Sequence, residues 1–228
     1  MSRGPGAAWY TRRMLTIVDY GSGNLRSVQK AFERLGVPAL ITDDPGRVGD
    51  AERLVLPGVG AFGDAMRELH ARGLVEPIVD HLRADRPFLG ICMGLQLLFG
   101  MGHEGGGHGG GRHPGLGIFA GEVTRFDLAS PLKVPHMGWN RVDWCGPGRA
   151  WTDAPPAHFY FVHSYVARPI DGSIVAATAD HGGPFCAAVA RGRLLATQFH
   201  PEKSQAAGLA LLGGWLAATE TGGRARAG

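Results

Sequence analysis

Cysteine is scarce in this chain of 228 residues. The three present, Cys92, Cys145 and Cys186, are odd in number, widely spaced and form no C-x-x-C pair. That argues against a disulfide framework and a structural zinc site, and it places the chain in a reducing compartment, the cytoplasm. No run of five or more Lys/Arg occurs, so a net charge of +3 and a pI near 9.0 do not amount to a nucleic-acid surface. No apolar stretch approaches the ~20 residues of a membrane span. Residues 1–13 are rich in Gly and Ala, lack the apolar core of a signal peptide and are expected to be a disordered tail. One domain is expected over residues 14–220, and a second tail over 221–228. A complete G-x-G-x-x-G is also missing, because Gly21-Ser22-Gly23 has no third glycine in register. That speaks against a dinucleotide site.

What is there reads as an α/β domain. Hydrophobic content of 44% over 228 residues suffices for one substantial core. Met14–Tyr20 reads as a first strand, followed by a helix to about Leu35 that Gly36 ends. Val37–Thr42 and Arg53–Leu56 read as strands, and the latter runs into Pro57-Gly58-Val59-Gly60-Ala61-Phe62-Gly63. Glycines spaced in this way let peptide groups take unusual angles and aim N–H groups at a ligand. A helical region from about Asp64 to Arg83 is expected to break near Gly73 and Pro77. The alternation predicts a mostly parallel sheet with helices on both faces, whose ligands bind beyond the C-terminal strand ends. Gly100–Gly117, with His103, His108 and His113, fits no single helix face and reads as a flexible surface loop with no metal role. In the second half, Phe119–Phe126, Arg141–Trp144, His158–Val166, Ser173–Thr178, Phe185–Ala190 and Leu194–Phe199 read as strands that extend or flank the sheet in antiparallel fashion. A last helix is expected over about Ser204–Thr219, with Ala207, Leu211, Leu212 and Trp215 on its core face.

The chemistry concentrates in Pro87-Phe88-Leu89-Gly90-Ile91-Cys92-Met93-Gly94-Leu95-Gln96-Leu97-Leu98-Phe99. It begins as a buried strand and ends as a helix. The cysteine between two glycines can sit on a tight turn that exposes the thiol, where a helix N-terminus favours the thiolate. A buried structural cysteine is the alternative that these residues alone leave open. The last strand ends in Thr197-Gln198-Phe199-His200-Pro201-Glu202-Lys203-Ser204. A cysteine nucleophile needs a base, and the base needs a group that orients it. His200 and Glu202 lie two apart in a segment held extended by Pro201, so both side chains fall on one side.

On Gly90–Gln96 and Phe199–Glu202 the chain resembles the class I (triad) glutamine amidotransferases. Asp19–Asn24, Pro57–Phe62, Val134–Asn140 and Tyr160–Tyr165 further resemble the branch formed by the glutaminase subunits of imidazole glycerol phosphate synthases. The resemblance implies a three-layer, flavodoxin-like fold whose mostly parallel central sheet gains antiparallel strands in the second half. It implies hydrolysis of L-glutamine with Cys92 as nucleophile, His200 as proton shuttle and Glu202 behind it. The oxyanion donors would be the Met93 N–H and a peptide N–H at Val59 or Gly60. Gly58, Gly60, Gln96, Ser164 and Tyr165 would hold the substrate. No cofactor or metal is implied. The ammonia would pass to a (β/α)8-barrel cyclase subunit of imidazole glycerol phosphate synthase in a heterodimer serving L-histidine biosynthesis, with Trp139, Tyr160 and Lys203 at the interface. The Gly58–Gly60 loop is expected to be misaligned in the isolated subunit and to reorient when the partner binds.

Overall fold

The computed structural model describes residues 15–104, 111–127, 132–152 and 155–220. Both expected tails and His108 therefore lie outside the described residues. The first half runs β1 (Leu15–Val18), α1 (Leu25–Arg34), β2 (Ala39–Thr42), α2 (Pro45–Gly49), β3 (Leu54–Gly58), α3 (Phe62–Ala71), α4 (Val75–Arg83), β4 (Phe88–Cys92) and α5 (Met93–Gln96). The second runs β5 (Phe99–Gly102), β6 (His113–Pro114), β7 (Phe119–Arg125), β8 (His136–Trp144), β9 (Ala157–His163), β10 (Tyr165–Pro169), β11 (Val175–Asp180), β12 (Pro184–Arg191), β13 (Leu194–Thr197) and α6 (Gln205–Ala218).

A nine-stranded sheet of order β2-β1-β3-β4-β13-β12-β11-β8-β9 forms the middle layer. Its first five strands are mutually parallel and the remainder join antiparallel. Every residue of β1, β3, β4 and β13 is buried, as expected of parallel strands covered on both faces. One face packs on α1 and α6, where Phe32 and Trp215 meet edge-to-face at 5.9 Å, a contact worth ~1 kcal/mol beyond burial. The other face packs on α2, α3 and α4 through Val48, Phe62, Met66, Leu69 and Ile78. A four-stranded sheet of order β10-β7-β5-β6 sits on that second side. The expected three-layer α/β architecture is the one observed.

Several local expectations need correction. The break between α3 and α4 is at Arg72-Gly73-Leu74 alone. Pro77 lies in the first turn of α4, where a missing N–H costs nothing. The helix after Cys92 is a single turn, because Leu97-Leu98 already lead into β5. The glycine-rich segment is not simply a loop where it is described, since its ends form β5 and β6. Its glycines allow close approach: a Cβ on Gly102 would lie 2.4 Å from the Phe62 ring, and one on Gly115 would lie 2.1 Å from the Phe99 carbonyl oxygen. His158–Val166 splits at Ser164, where the chain leaves the large sheet for the small one. Helix α2 was not expected; Asp44 caps it, accepting from the Gly46 and Arg47 N–H groups at 2.8 and 3.1 Å.

Register places the candidate strand ends together. Gly58 pairs with Cys92 across β3–β4, and Ile91 pairs with Thr197 across β4–β13. Cys92 therefore has the Gly58–Gly60 loop on one side and the segment leading to His200 on the other.

Candidate active site

Cys92 has φ +55° and ψ −104°, one of three non-glycine residues with positive φ among the described residues. Such strain costs on the order of 1–3 kcal/mol and is held by its surroundings. Here the surroundings are two glycines. A Cβ on Gly90 would lie 2.7 Å from the Gly94 carbonyl oxygen, and one on Gly94 only 1.8 Å from that of Leu56. The turn closes because both methyls are absent. It leaves the thiol nearly enclosed, with 6% of the residue exposed.

His200 follows β13 and is buried, with its N–H bonded to the Tyr160 carbonyl at 2.9 Å. Its Nδ1 lies 2.8 Å from Glu202 Oε1, and both side chains are buried. Pro201–Lys203 forms a 3-10 turn rather than the expected extended segment. The turn brings the carboxylate behind the imidazole all the same. Burial pulls His200 down, but the Cys92 sulfur and Glu202 outweigh it and push the ring up to about 9. His200 Nε2 is buried with no hydrogen-bond partner among the described residues.

A cavity of about 220 Å³ opens over Cys92, lined by Val59, Gly60, Met93, Gln96, Glu104, Val162, His163, Ser164 and Tyr165. Every expected oxyanion and substrate residue lines it except Gly58, which is a close-approach position. A Cβ there would lie 1.8 Å from the Tyr20 hydroxyl and 2.9 Å from Met93 Cβ. The Ser22 hydroxyl donates to the Val59 carbonyl oxygen, tying the Gly58–Gly60 loop to the turn after β1. Gly60, at φ +100°, supplies the backbone freedom this loop requires. A larger groove of about 530 Å³ lies between α1 and α6 and reaches Glu202 from behind.

Four further residues line or brace the site without a role having been legible for them in the sequence. Glu104 lines the cavity and accepts from the Phe62 N–H at 3.1 Å, and burial raises its carboxyl above the ordinary value. Gln198, fully buried, places Nε2 3.7 Å from Cys92 Sγ and accepts from Gln96 Nε2 at 3.1 Å. Alternation along an extended strand end puts residues 198 and 200 on one side, so a signal for Gln198 was present. His163 donates from Nδ1 to the Tyr165 carbonyl at 2.8 Å, and its Nε2 takes the Nδ1 hydrogen of His136 at 3.1 Å. Burial lowers these rings to about 3 and about 4, so both are neutral at pH 7. Ser22 is the fourth.

The three expected interface residues form one cluster. Trp139 and Tyr160 face each other across β8–β9 with ring centroids 6.2 Å apart, and Lys203 Nζ lies 5.8 Å from the Tyr160 ring centroid. Trp139 is 48% and Met137 62% exposed on the same strand face.

A strained cysteine elbow ends a central parallel strand, and a buried histidine–glutamate pair follows the neighbouring one. The class-I glutamine amidotransferase family model matches residues 16–212, and the chain belongs to that family. Within it the chain is similar to imidazole glycerol phosphate synthase subunit HisH of Rhodopirellula baltica, 58% identical over 199 residues that make up 87% of this chain and 95% of the relative. The corresponding subunit HisH of Syntrophotalea carbinolica is 54% identical over 205 residues, 87% of this chain and 97% of the relative. Two solved structures share the fold at low identity. A crystal structure of a glutamine amidotransferase has a TM-score of 0.67 at 20% identity, covering 90% of this chain and 99% of that one. PurLQS from Thermotoga maritima has a TM-score of 0.68 at 18% identity, covering 90% and 98%.

Proposed function

We propose that the chain hydrolyses L-glutamine to glutamate and ammonia and delivers the ammonia to a cyclase partner in L-histidine biosynthesis. The observation that carries this reading is the meeting around Cys92 of the strained elbow, the His200–Glu202 pair and the Gly58–Gly60 loop. His200 Nε2 takes the thiol proton, and Sγ attacks the carbonyl carbon of the side-chain amide. The carbonyl π pair moves to oxygen and is held by the Met93 N–H and a peptide N–H at Val59 or Gly60, each donor worth ~10²–10³ in rate. On collapse the imidazolium returns its proton to the departing nitrogen, the C–N bond breaks and a γ-glutamyl thioester remains. Water, deprotonated by His200, then attacks the thioester and the thiolate leaves. Glu202 orients His200 and compensates its charge. Gly60, Gln96, Ser164 and Tyr165 surround the amino-acid end of the substrate, and Glu104 supplies a counter-charge for its α-ammonium.

Ammonia released into neutral water becomes unreactive ammonium, which is the reason for a partner. Trp139, Tyr160 and Lys203 form the docking cluster for a (β/α)8-barrel cyclase subunit in a cytoplasmic heterodimer. The Ser22 hydroxyl holds the Val59 carbonyl in the isolated chain, and docking turns that peptide so that an N–H faces the oxyanion. The test is glutamate release by the chain with and without the cyclase subunit and its nucleotide substrate, with Cys92→Ala as control. The expected result is turnover that the complex accelerates and Cys92→Ala abolishes. Turnover that survives Cys92→Ala, or a complex that releases no glutamate, would overturn the reading.

A further inference from the structure

We propose that Gln198 is a further catalytic residue, whose side-chain amide donates a hydrogen bond to the Cys92 sulfur and stabilises the thiolate. The inference rests on the glutaminase reading above and deepens it. Gln198 directly follows β13, is fully buried, and has its backbone N–H fixed on the Ala187 carbonyl at 2.8 Å. Its Nε2 is 3.7 Å from Sγ, within hydrogen-bond reach of sulfur.

The direction of this contact follows from a group whose polarity is not in doubt. A carboxamide can be turned end for end, so its neighbours must decide which atom is nitrogen. The Tyr165 carbonyl can only accept. It takes a hydrogen from Gln96 Nε2 at 3.1 Å. The same nitrogen has a second hydrogen, aimed at the Gln198 side chain 3.1 Å away. Gln198 must present its oxygen there, which leaves its NH₂ group facing Sγ. The neutral His163 ring donates to the same Tyr165 carbonyl and reinforces the arrangement.

A thiolate at this position needs such a donor. Helix α5 is one turn long, too short to build much of a macrodipole. With Cys92 6% exposed, water solvates the sulfur little, and a buried anion without donors is costly. The donor acts twice per cycle, on the thiolate that attacks and on the thiolate that leaves when water cleaves the thioester. His200, after β13, and Tyr20, after β1, feel the Cys92 sulfur, and Glu104 and His163 line the same cavity. None of them is altered in the test.

The test uses the complex with the cyclase subunit and two variants. Gln198→Met fills the space without a donor, and Gln198→Glu keeps the shape with an acceptor in its place. Alkylation of Cys92 by iodoacetamide is followed by peptide mass spectrometry at pH 7 and pH 9.5, beside kcat, KM and melting temperature. The expected result is alkylation at pH 7 slowed about tenfold in Gln198→Met and further in Gln198→Glu. The difference narrows at pH 9.5, and kcat falls about tenfold or more with KM within about threefold. If Gln198→Met fails to fold, the isosteric Gln198→Glu carries the test alone. Wild-type turnover with alkylation unchanged at pH 7, equal slowing at both pH values, or a loss confined to KM and melting temperature would overturn the role of Gln198. A wild-type complex without Cys92-dependent turnover would overturn the glutaminase reading instead, and the proposal with it.

Discussion

Replacing Glu202 with Gln keeps a hydrogen bond to His200 Nδ1 and removes a buried charge. Burial alone would take His200 below its ordinary value of 6.5, yet Cys92 and Glu202 together carry it to about 9. At about 1.4 kcal/mol per unit, this is roughly 3 kcal/mol in favour of the charged ring. Cys92 accounts for part of it, so on the order of 1–3 kcal/mol is lost with the carboxylate. In the proposed mechanism the same charge stabilises the imidazolium formed during acyl transfer, so without it kcat of the complex should fall roughly ten- to hundredfold. KM should hold, because Glu202 does not line the cavity. The stability effect has a defined sign. A histidine raised in the folded state contributes stability that is fully present below about pH 6.5 and lost as pH rises through about 9. The wild-type melting temperature should therefore decline across that window, and that of Glu202→Gln should be lower at its acid end and flatter through it. Glutamate release and thermal melts at several pH values measure both. A variant within threefold of wild-type kcat, or a melting-temperature difference that stays constant from pH 6 to 9.5, would refute the reasoning.

Gly94→Ala pushes a methyl against the Leu56 carbonyl oxygen and should cost about 2–4 kcal/mol in denaturant unfolding; unchanged stability would mean that the elbow does not need that gap. Ser22→Ala frees the Val59 carbonyl and should raise glutamine hydrolysis by the isolated subunit severalfold, while the complex, with the peptide already turned, changes little. A fall in both rates would place Ser22 in the chemistry rather than in the restraint. Trp139→Ala should weaken cyclase binding by about 2 kcal/mol, roughly thirtyfold in Kd by calorimetry. Because Trp139 is half exposed, the melting temperature of the isolated subunit should not move.

The elbow was legible in the sequence because its chemistry is compressed into Gly90–Gly94, where two glycines and a cysteine admit few conformations. His200 and Glu202 were legible as a pair, although the 3-10 turn that joins them was not, since Pro201 suits both an extended segment and the first position of a turn. Alternation sets Gln198 on the same side as His200, but its contact with Cys92, 106 residues away, is not carried by local pattern, nor is the His136–His163 hydrogen bond across β8–β9. Glu104 was hidden by composition. A glycine-rich stretch looks like loop whether its glycines are idle or, like Gly102 and Gly115, are the positions where another side chain or backbone comes too close for a Cβ.

Ser164 is the single residue between β9 and β10, and its carbonyl accepts from the Phe126 N–H at 3.0 Å. The cavity over Cys92 thus lies at a seam. Cys92 and His200 belong to the large sheet, whereas Tyr165 and Glu104 sit on or beside the small one. Changes in the small sheet reach the Tyr165 and Glu104 end of the cavity without passing through the strands that carry Cys92 and lead to His200. Under the proposed function, affinity for glutamine is set largely from the small sheet and bond breaking from the large one, so substitutions can alter the two separately.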